Sequence, residues 1–348
     1  MYSIIFAFVS INKIKNRTNI YDNMHIYISD GFCQICRYQI TLEYDNDTLI
    51  YMAEKGDPYA MNLYGLVLWN NHENISSKRK AIHYFKESAD LGNIEAMLNY
   101  GSILLDGKYI HQNKAEARKY LKMAANLGNA NAMYYYATLI PKGDDALEID
   151  QEALYYFKKS ADLGNINAMF SYGSFVKNYT EKIKYFKKSS DLGNVYSMMN
   201  YASMIFDGKV KSLDKKEALK YYKMSADKGD AFIKYHYGMM LLEGKYYEIN
   251  KKDGAYYLKQ SADLGNVNAM VIYAKMLLNG DGIDSDLKEA AFYLKKASDK
   301  GNPEAMFYYA QIVFNENGIQ TNTAEAVKYM KMSADLGYEE SIFEYGNM

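Results

Sequence analysis

Little in this sequence points to chemistry. Only two of its 348 residues are cysteine, Cys33 and Cys36, which is too few for a disulfide framework and makes a reducing compartment the expectation. Long apolar runs are missing as well: the longest, Ile4 to Val9, falls far short of the ~20 residues a membrane-spanning helix needs. There is no excess of charge, since 41 Lys and Arg stand against 42 Asp and Glu, so neither nucleic acid nor an anionic membrane surface is implied as a partner. The five histidines, His25, His72, His83, His111 and His236, are scattered without HExxH or paired-ligand spacing. No GxSxG, P-loop or dinucleotide fingerprint occurs. The expectation is a protein with no catalytic residues, no cofactor and no metal.

What is present is one stretch repeated nine times, best seen from Ser160 to Gly173: the end of one helix, a glycine hinge and the start of the next. The hinge glycines are Gly56, Gly92, Gly128, Gly164, Gly193, Gly229, Gly265, Gly301 and Gly337, so the period is 36 residues apart from one step of 29. A fixed period of this size predicts a stacked helical solenoid. Four residues after the hinge stands Ala or Ser, with Ile233 the exception. Eight after it, every copy has tyrosine, from Tyr64 to Tyr345, and nine after it every copy has Gly or Ala. Offsets of 4, 5, 8, 9 and 12 share one face of a helix, so this first helix, A, buries that face. Before the hinge, offsets of 11, 8, 7, 4 and 3 repeat the same spacing, with tyrosine at 8 from Tyr84 to Tyr329, and define a second amphipathic helix, B. Seventeen of the 37 tyrosines lie in these two columns, so the tyrosine excess is architectural. Each helix is only ~12 residues and depends on stacking for its stability.

The hinge glycine suits a left-handed conformation ending helix B, and Asn or Asp follows it in eight of nine copies as an N-cap for the next helix A. The pattern resembles the Sel-one-like repeat (SLR) family, a branch of the tetratricopeptide-like α-solenoids. Ala96, Tyr100, Gly101, Leu104, Gly107, Ala117, Tyr120, Ala125 and Gly128 carry it, with their counterparts in the other units. A second glycine between helices A and B, expected from the resemblance, is matched by Gly107, Gly143, Gly208, Gly244 and Gly280 and missing from the first, fourth and eighth units. The resemblance implies an all-α, right-handed α-solenoid of antiparallel helix pairs with adaptor or scaffold roles. These include recruiting subunits of membrane-protein quality control in the endoplasmic reticulum (ER), regulators of wall or septum synthesis, and arrays attached to domains such as kinases. It implies no catalytic residues.

Two segments follow from this register. Residues 1-43 lie outside the repeat. Residues 44-348 form the array, with eight complete units from Gly56 to Gly337 and partial units at both ends. Met1 to Ser10 is apolar but lacks a basic leader and a small-x-small cleavage site, so a cap, a tail or the remnant of an upstream domain is expected in place of a signal peptide. A cytoplasmic location follows. The ER lumen or secretion is the alternative, supported by sequons at Asn16, Asn46, Asn74 and Asn178. Cys33-Gln-Ile-Cys36 offers two ligands, or three with His25, where structural zinc needs four. Ordinary packed cysteines are expected, with half a zinc site and a redox pair as the other readings.

Three irregularities stand out. The first unit carries a polar loop from Asn70 to Ser77, and the fourth has lost seven loop residues, which predicts a tight hairpin across residues 177-181. In the seventh, residues 279-286 tempt a calcium or phosphate reading, but neither the EF-hand spacing nor a third glycine is there, and an acidic loop is expected. After Gly337 a single helix A remains, which predicts a C-terminal cap, a shortened product or self-association through its uncovered face.

Lysine stands six residues before each hinge from Gly92 onward, from Lys86 to Lys331, with an acidic residue four later in all but one unit. Pairs at i, i+4 predict a solvated, charge-laddered face and no nucleic-acid stripe. Binding is expected on the wall that helix A lines, concave in tetratricopeptide-like arrays, at the variable offsets 3, 7 and 10. The candidates are Asn131, Tyr135, Thr138, Asn167, Ser171, Ser174, Asn200, Ser203, His236, Met239, Asn268, Ile272 and Lys275. Their amide, hydroxyl and aromatic groups suit a peptide backbone or a partner helix, so the expected partners are other proteins.

Overall fold

The computed structural model describes residues 45–70, 74–140, 149–208, 214–244, 248–314 and 322–347. Cys33, Cys36, His25, His72, Gly143 and the Asn16 sequon lie outside the described residues. The described chain is all α-helical, with eighteen helices and no strand.

Two compact units are formed, Met1–Phe175 and Val176–Met348. The first holds α1 (Asn46–Glu54), α2 (Pro58–Trp69), α3 (Ile75–Asp90), α4 (Ile94–Asp106), α5 (Lys114–Asn126), α6 (Ala130–Leu139), α7 (Gln151–Asp162) and α8 (Ile166–Phe175). The second holds α9 (Tyr179–Asp191), α10 (Val195–Phe206), α11 (Lys215–Lys228), α12 (Ala231–Glu243), α13 (Lys251–Asp263), α14 (Val267–Asn279), α15 (Leu287–Ser298), α16 (Pro303–Phe314), α17 (Thr323–Asp335) and α18 (Glu339–Asn347). Within each unit every helix packs on the next, the stacking of an α-solenoid. Helix α1 is the orphan helix B before Gly56. Helix α3 begins at Ile75, which corrects the first loop: Asn74 caps the helix by accepting from the Ser76 N–H (2.9 Å), so residues 75–77 belong to its first turn. The shortened fourth loop is short indeed, since Asn178 already caps α9.

The two stripes are the core. In the second repeat Ala96, Met97, Tyr100, Gly101 and Leu104 of α4 are buried, as are Ala117, Tyr120, Leu121, Ala124 and Ala125 of α5. The paired tyrosine columns meet edge to face within seven repeats, with ring centroids 5.1 Å apart for Tyr100 and Tyr120 and 4.8 Å for Tyr237 and Tyr257.

Polar side chains then tie the helices together, first within a repeat and then between repeats. A serine late in helix B donates to a carbonyl of the preceding helix A, as in Ser160 to Ala130 and Ser261 to Ala231 (both 2.6 Å). The helix-B tyrosine donates to the acidic column one repeat back, as in Tyr293 to Asp263 (2.5 Å) and Tyr329 to Asp299 (3.0 Å). Burial and adjacent carboxylates raise the pKa of phenols in the helix-A column: burial and Glu217 push Tyr201 to about 12, and burial with Glu325 does the same for Tyr309. A phenol whose folded pKa lies above its unfolded value near 10 contributes stability below pH ~10 and loses it as pH climbs through the folded value. Melting temperature is therefore expected to hold between about pH 6 and 9 and to fall above pH ~10 in step with tyrosinate absorbance. A melting temperature still level after the phenols ionise would contradict this.

The hinge works as expected in eight copies. At Gly164 φ is +99°, its N–H donates to the Ala161 carbonyl (3.0 Å), and Asn165 accepts from the Ala168 N–H (2.7 Å) to open α8. Nothing lies within 4 Å of a Cβ placed on Gly164, so substitution there costs through the backbone alone. Gly164→Val should destabilise by more than ~1 kcal/mol in urea titration, and an unchanged midpoint would refute it.

The sixth hinge corrects the pattern. Gly229 has φ −80° and ψ 175°, an extended conformation open to any residue. The cause is two residues of α12. Ile233 replaces the usual Ala or Ser and is wholly buried, and its Cδ1 would lie 2.8 Å from a Cβ on Gly229. Lys234 replaces the methionine of other units, and its buried ammonium donates to the Ala226 carbonyl (2.6 Å) at the end of α11. The lysine thus closes the helix end that the glycine turn closes elsewhere. Helices α11 and α12 touch much less than other successive pairs.

Candidate binding surfaces

The offsets 3, 7 and 10 place their side chains beside the buried stripe of helix A, partly or fully exposed. In the first unit Asn131, Tyr135, Asn167 and Ser171 are half-buried, and Thr138 and Ser174 are exposed. Asn131 is engaged by the next hinge, accepting from the Asn165 side-chain amide (2.7 Å). Thr138 donates to the Tyr135 carbonyl (2.7 Å), and the Tyr135 ring leans on Tyr134 at 5.4 Å. In the second unit Asn200, Ser203, His236, Met239, Ile272 and Lys275 are half-buried and Asn268 is exposed. Asn200 donates to the Tyr196 carbonyl (2.8 Å). His236 stacks edge to face on Phe232 (4.2 Å) and Tyr235 (5.2 Å), and burial holds its pKa below the usual histidine value, favouring neutral imidazole. Met239 and Ile272 pack against the core around Ala255 and Leu258, and Lys275 pairs with Glu304 (2.8 Å). The structure thus keeps the candidates on the helix-A faces but gives Asn131, Met239, Ile272 and Lys275 structural partners.

The lysine column is not a free cationic stripe. Lys86, Lys158, Lys187 and Lys295 pair with the aspartates four residues on, at 2.8 to 3.1 Å. Lys122 and Lys259 reach across to the next repeat and pair with Glu152 (3.0 Å) and Glu289 (2.6 Å). In the seventh-unit loop Lys251 pairs with Asp281, and Asp286 caps α15. Among the described residues no group of three His, Cys, Asp or Glu is placed to hold a metal ion.

Two surfaces escaped the sequence reading. The leucine just before the hinge is exposed at Leu91, Leu127 and Leu163 and again at Leu192, Leu264 and Leu336, because it falls off the helix-B stripe. A pocket of about 440 Å³ lies between α11, α12 and α13, lined by lysines and tyrosine. On α18, Ile342 and Phe343 are exposed, so the apolar face of that helix is uncovered in the structure.

Stacked helix pairs with variable faces define a tandem helical-repeat protein. The chain belongs to the Sel1 repeat family, whose model matches residues 58–93, 94–129, 130–165, 168–194, 195–230, 234–266, 267–302 and 303–338. Proteins of this family are generally scaffolds for protein–protein interaction and typically non-catalytic. Among solved structures, c5321 of uropathogenic Escherichia coli, a protective antigen displaying an SLR fold, is 20% identical with a TM-score of 0.71, covering 88% of this chain and 67% of its own. A Sel1 repeat protein from Oxalobacter formigenes is 19% identical with a TM-score of 0.65, covering 93% of this chain and 98% of its own. A search of curated proteins finds no match. No helix among the described residues is long and apolar enough to cross a membrane.

Proposed function

We propose that the chain is a non-catalytic adaptor that holds a peptide or helix of a partner protein on its helix-A faces. The supporting observation is a contrast between neighbouring columns. Offsets 4 and 8 keep nearly the same residue in every repeat and are mostly buried, whereas offsets 7 and 10, one step round the helix, vary and from the third repeat onward are accessible. Variable amide, hydroxyl and aromatic groups on a rigid scaffold suit selection of one partner. We place the protein in the cytoplasm; a glycosidase-sensitive mobility shift would move it to the ER lumen.

The test treats the two units separately. The native protein is captured from its own cells beside Tyr135→Ala and beside the pair Asn200→Ala and His236→Ala. A partner lost from a variant that melts like the parent supports the reading and tells which unit binds it. Identical partners with all variants would sink the helix-A faces as the binding surface.

A further inference from the structure

In several repeats the helix-A tyrosine, the preceding lysine and a glutamate near the start of helix B form one small cluster. Tyr136 donates to Glu152 (3.0 Å), and Lys122 pairs with the same oxygen (3.0 Å). Tyr201 and Lys187 hold the two oxygens of Glu217, each at 3.4 Å. Tyr100 holds Glu116 (3.0 Å) and Tyr309 holds Glu325 (3.2 Å). Tyrosine plus lysine is thus a carboxylate receptor that the chain itself builds and fills with its own glutamate.

In the sixth repeat the receptor is present but its glutamate is not. The tyrosine is Tyr237 and the lysine Lys223, but Asp253 stands where the others have glutamate. Asp253 is one methylene shorter and is held by the cap, where Asn250 donates to it (2.8 Å). Among the described residues neither Tyr237 nor Lys223 has a hydrogen bond or an ion pair. Lys223 even lacks the i, i+4 pairing with Asp227 that four other lysines of its column make. Helices α11 and α12, joined by the altered hinge at Gly229, pack less closely than other successive pairs, and the pocket of about 440 Å³ lies between them and α13. That volume falls in the range of ligand-binding pockets. Lys216 and Lys220 share its wall with Lys223, so three lysines face two carboxylates, Glu248 and Asp253, and Leu241 and Ile249 add apolar surface.

We propose that this pocket receives a glutamate side chain of a partner protein, seated between Tyr237 and Lys223 as the internal glutamates are in the other repeats, with an apolar neighbour against Leu241 and Ile249. The inference rests on the protein-binding reading and assigns it a site off the helix-A faces. A carboxylate is favoured over other anions because the chain uses this pair of donors for carboxylates elsewhere.

Asp253→Glu provides a direct test, because it supplies the missing glutamate from within. The substitution preserves the cap, since Glu116 accepts from both Asn113 and Tyr100 in the second repeat. The probes are a fluorescein-labelled acetyl-Leu-Glu-Leu-Glu-Leu amide and its counterpart with Gln for both Glu, titrated into the full chain and followed by anisotropy. The Glu peptide should bind about tenfold or more tighter than the Gln peptide, and Asp253→Glu, Tyr237→Phe and Lys223→Ala should each abolish most of that difference. Equal affinity for the two peptides, absence of binding included, overturns the proposal. So does parent-like binding by Asp253→Glu, or displacement of the Glu peptide by millimolar inorganic phosphate, which would make the pocket a general anion site. The capture experiment on the helix-A variants is independent: partners lost there with no peptide discrimination here would refute the pocket alone, and the reverse would refute the faces alone.

Discussion

Tyr201→Ala is expected to cost about 3–5 kcal/mol, the largest loss anticipated for any single substitution considered. Tyr201 is 2% exposed. Its ring meets Tyr221 at 5.3 Å and 80°, its hydroxyl lies 3.4 Å from Glu217, and the Lys187 ammonium stands 5.8 Å from the ring centre. Truncation leaves an aromatic-sized cavity between α10 and α11, removes a phenol from a carboxylate and leaves Tyr221 without its partner ring. Stacked repeats contact only their neighbours, so the loss should be local. Hydrogen exchange should accelerate first in α10 and α11, and in urea the transition should broaden or split. A loss below ~1 kcal/mol, or exchange rising evenly along the chain, would contradict this account.

Gly101→Val tests the opposite error, too much volume. A Cβ on Gly101 would lie 2.8 Å from Leu121 Cγ and 3.5 Å from the Ala117 carbonyl oxygen. Leu121 is fully buried, so it has no room to yield. Helices α4 and α5 would have to separate, and α5 carries Tyr120, which ties the repeat to Asp90 behind it. The expected cost is about 1–3 kcal/mol, with Gly101→Ala smaller but of the same sign. Both follow from thermal or urea unfolding monitored by circular dichroism. A valine variant as stable as the parent would mean that the Gly or Ala column does not set the distance between helices. The two substitutions probe one arrangement from both sides: small residues bring the helices together and tyrosines fill what remains.

The period was legible because it lies in single residues. Gly164 and Asn165 carry the turn and the cap between them, and no neighbour is needed to read them. The stripes on α4 and α5 were legible for the same reason, since helical spacing alone places Ala96, Tyr100 and Leu104 on one face. What was illegible depended on a second repeat. Lys259 looks in sequence like a partner for Asp263 four residues on, yet it pairs with Glu289, thirty residues away, because stacking brings one helix B over the last. Gly229 reads like its eight counterparts, and only the bulk of Ile233 and the buried ammonium of Lys234 explain why it turns differently. The signal was available in hindsight, as the one break in the Ala or Ser column and a lysine in the methionine column. The first loop was drawn too long because Asn74 was read as loop filling when it caps α3. The pocket beside Tyr237 required both faults, the hinge and the shortened Asp253, to be seen together.

The rungs between repeats have a consequence for how such a chain comes into being. Tyr257 reaches Asp227, Tyr293 reaches Asp263, and Asn99 reaches Asn62, the longest of these side-chain bonds at 37 residues of separation. Each repeat can therefore consolidate as soon as the next ~40 residues have left the ribosome, without waiting for a distant segment, and lengthening the array would not slow any one closure. Synthesis and folding would then run at the same pace from the first hinge to the last.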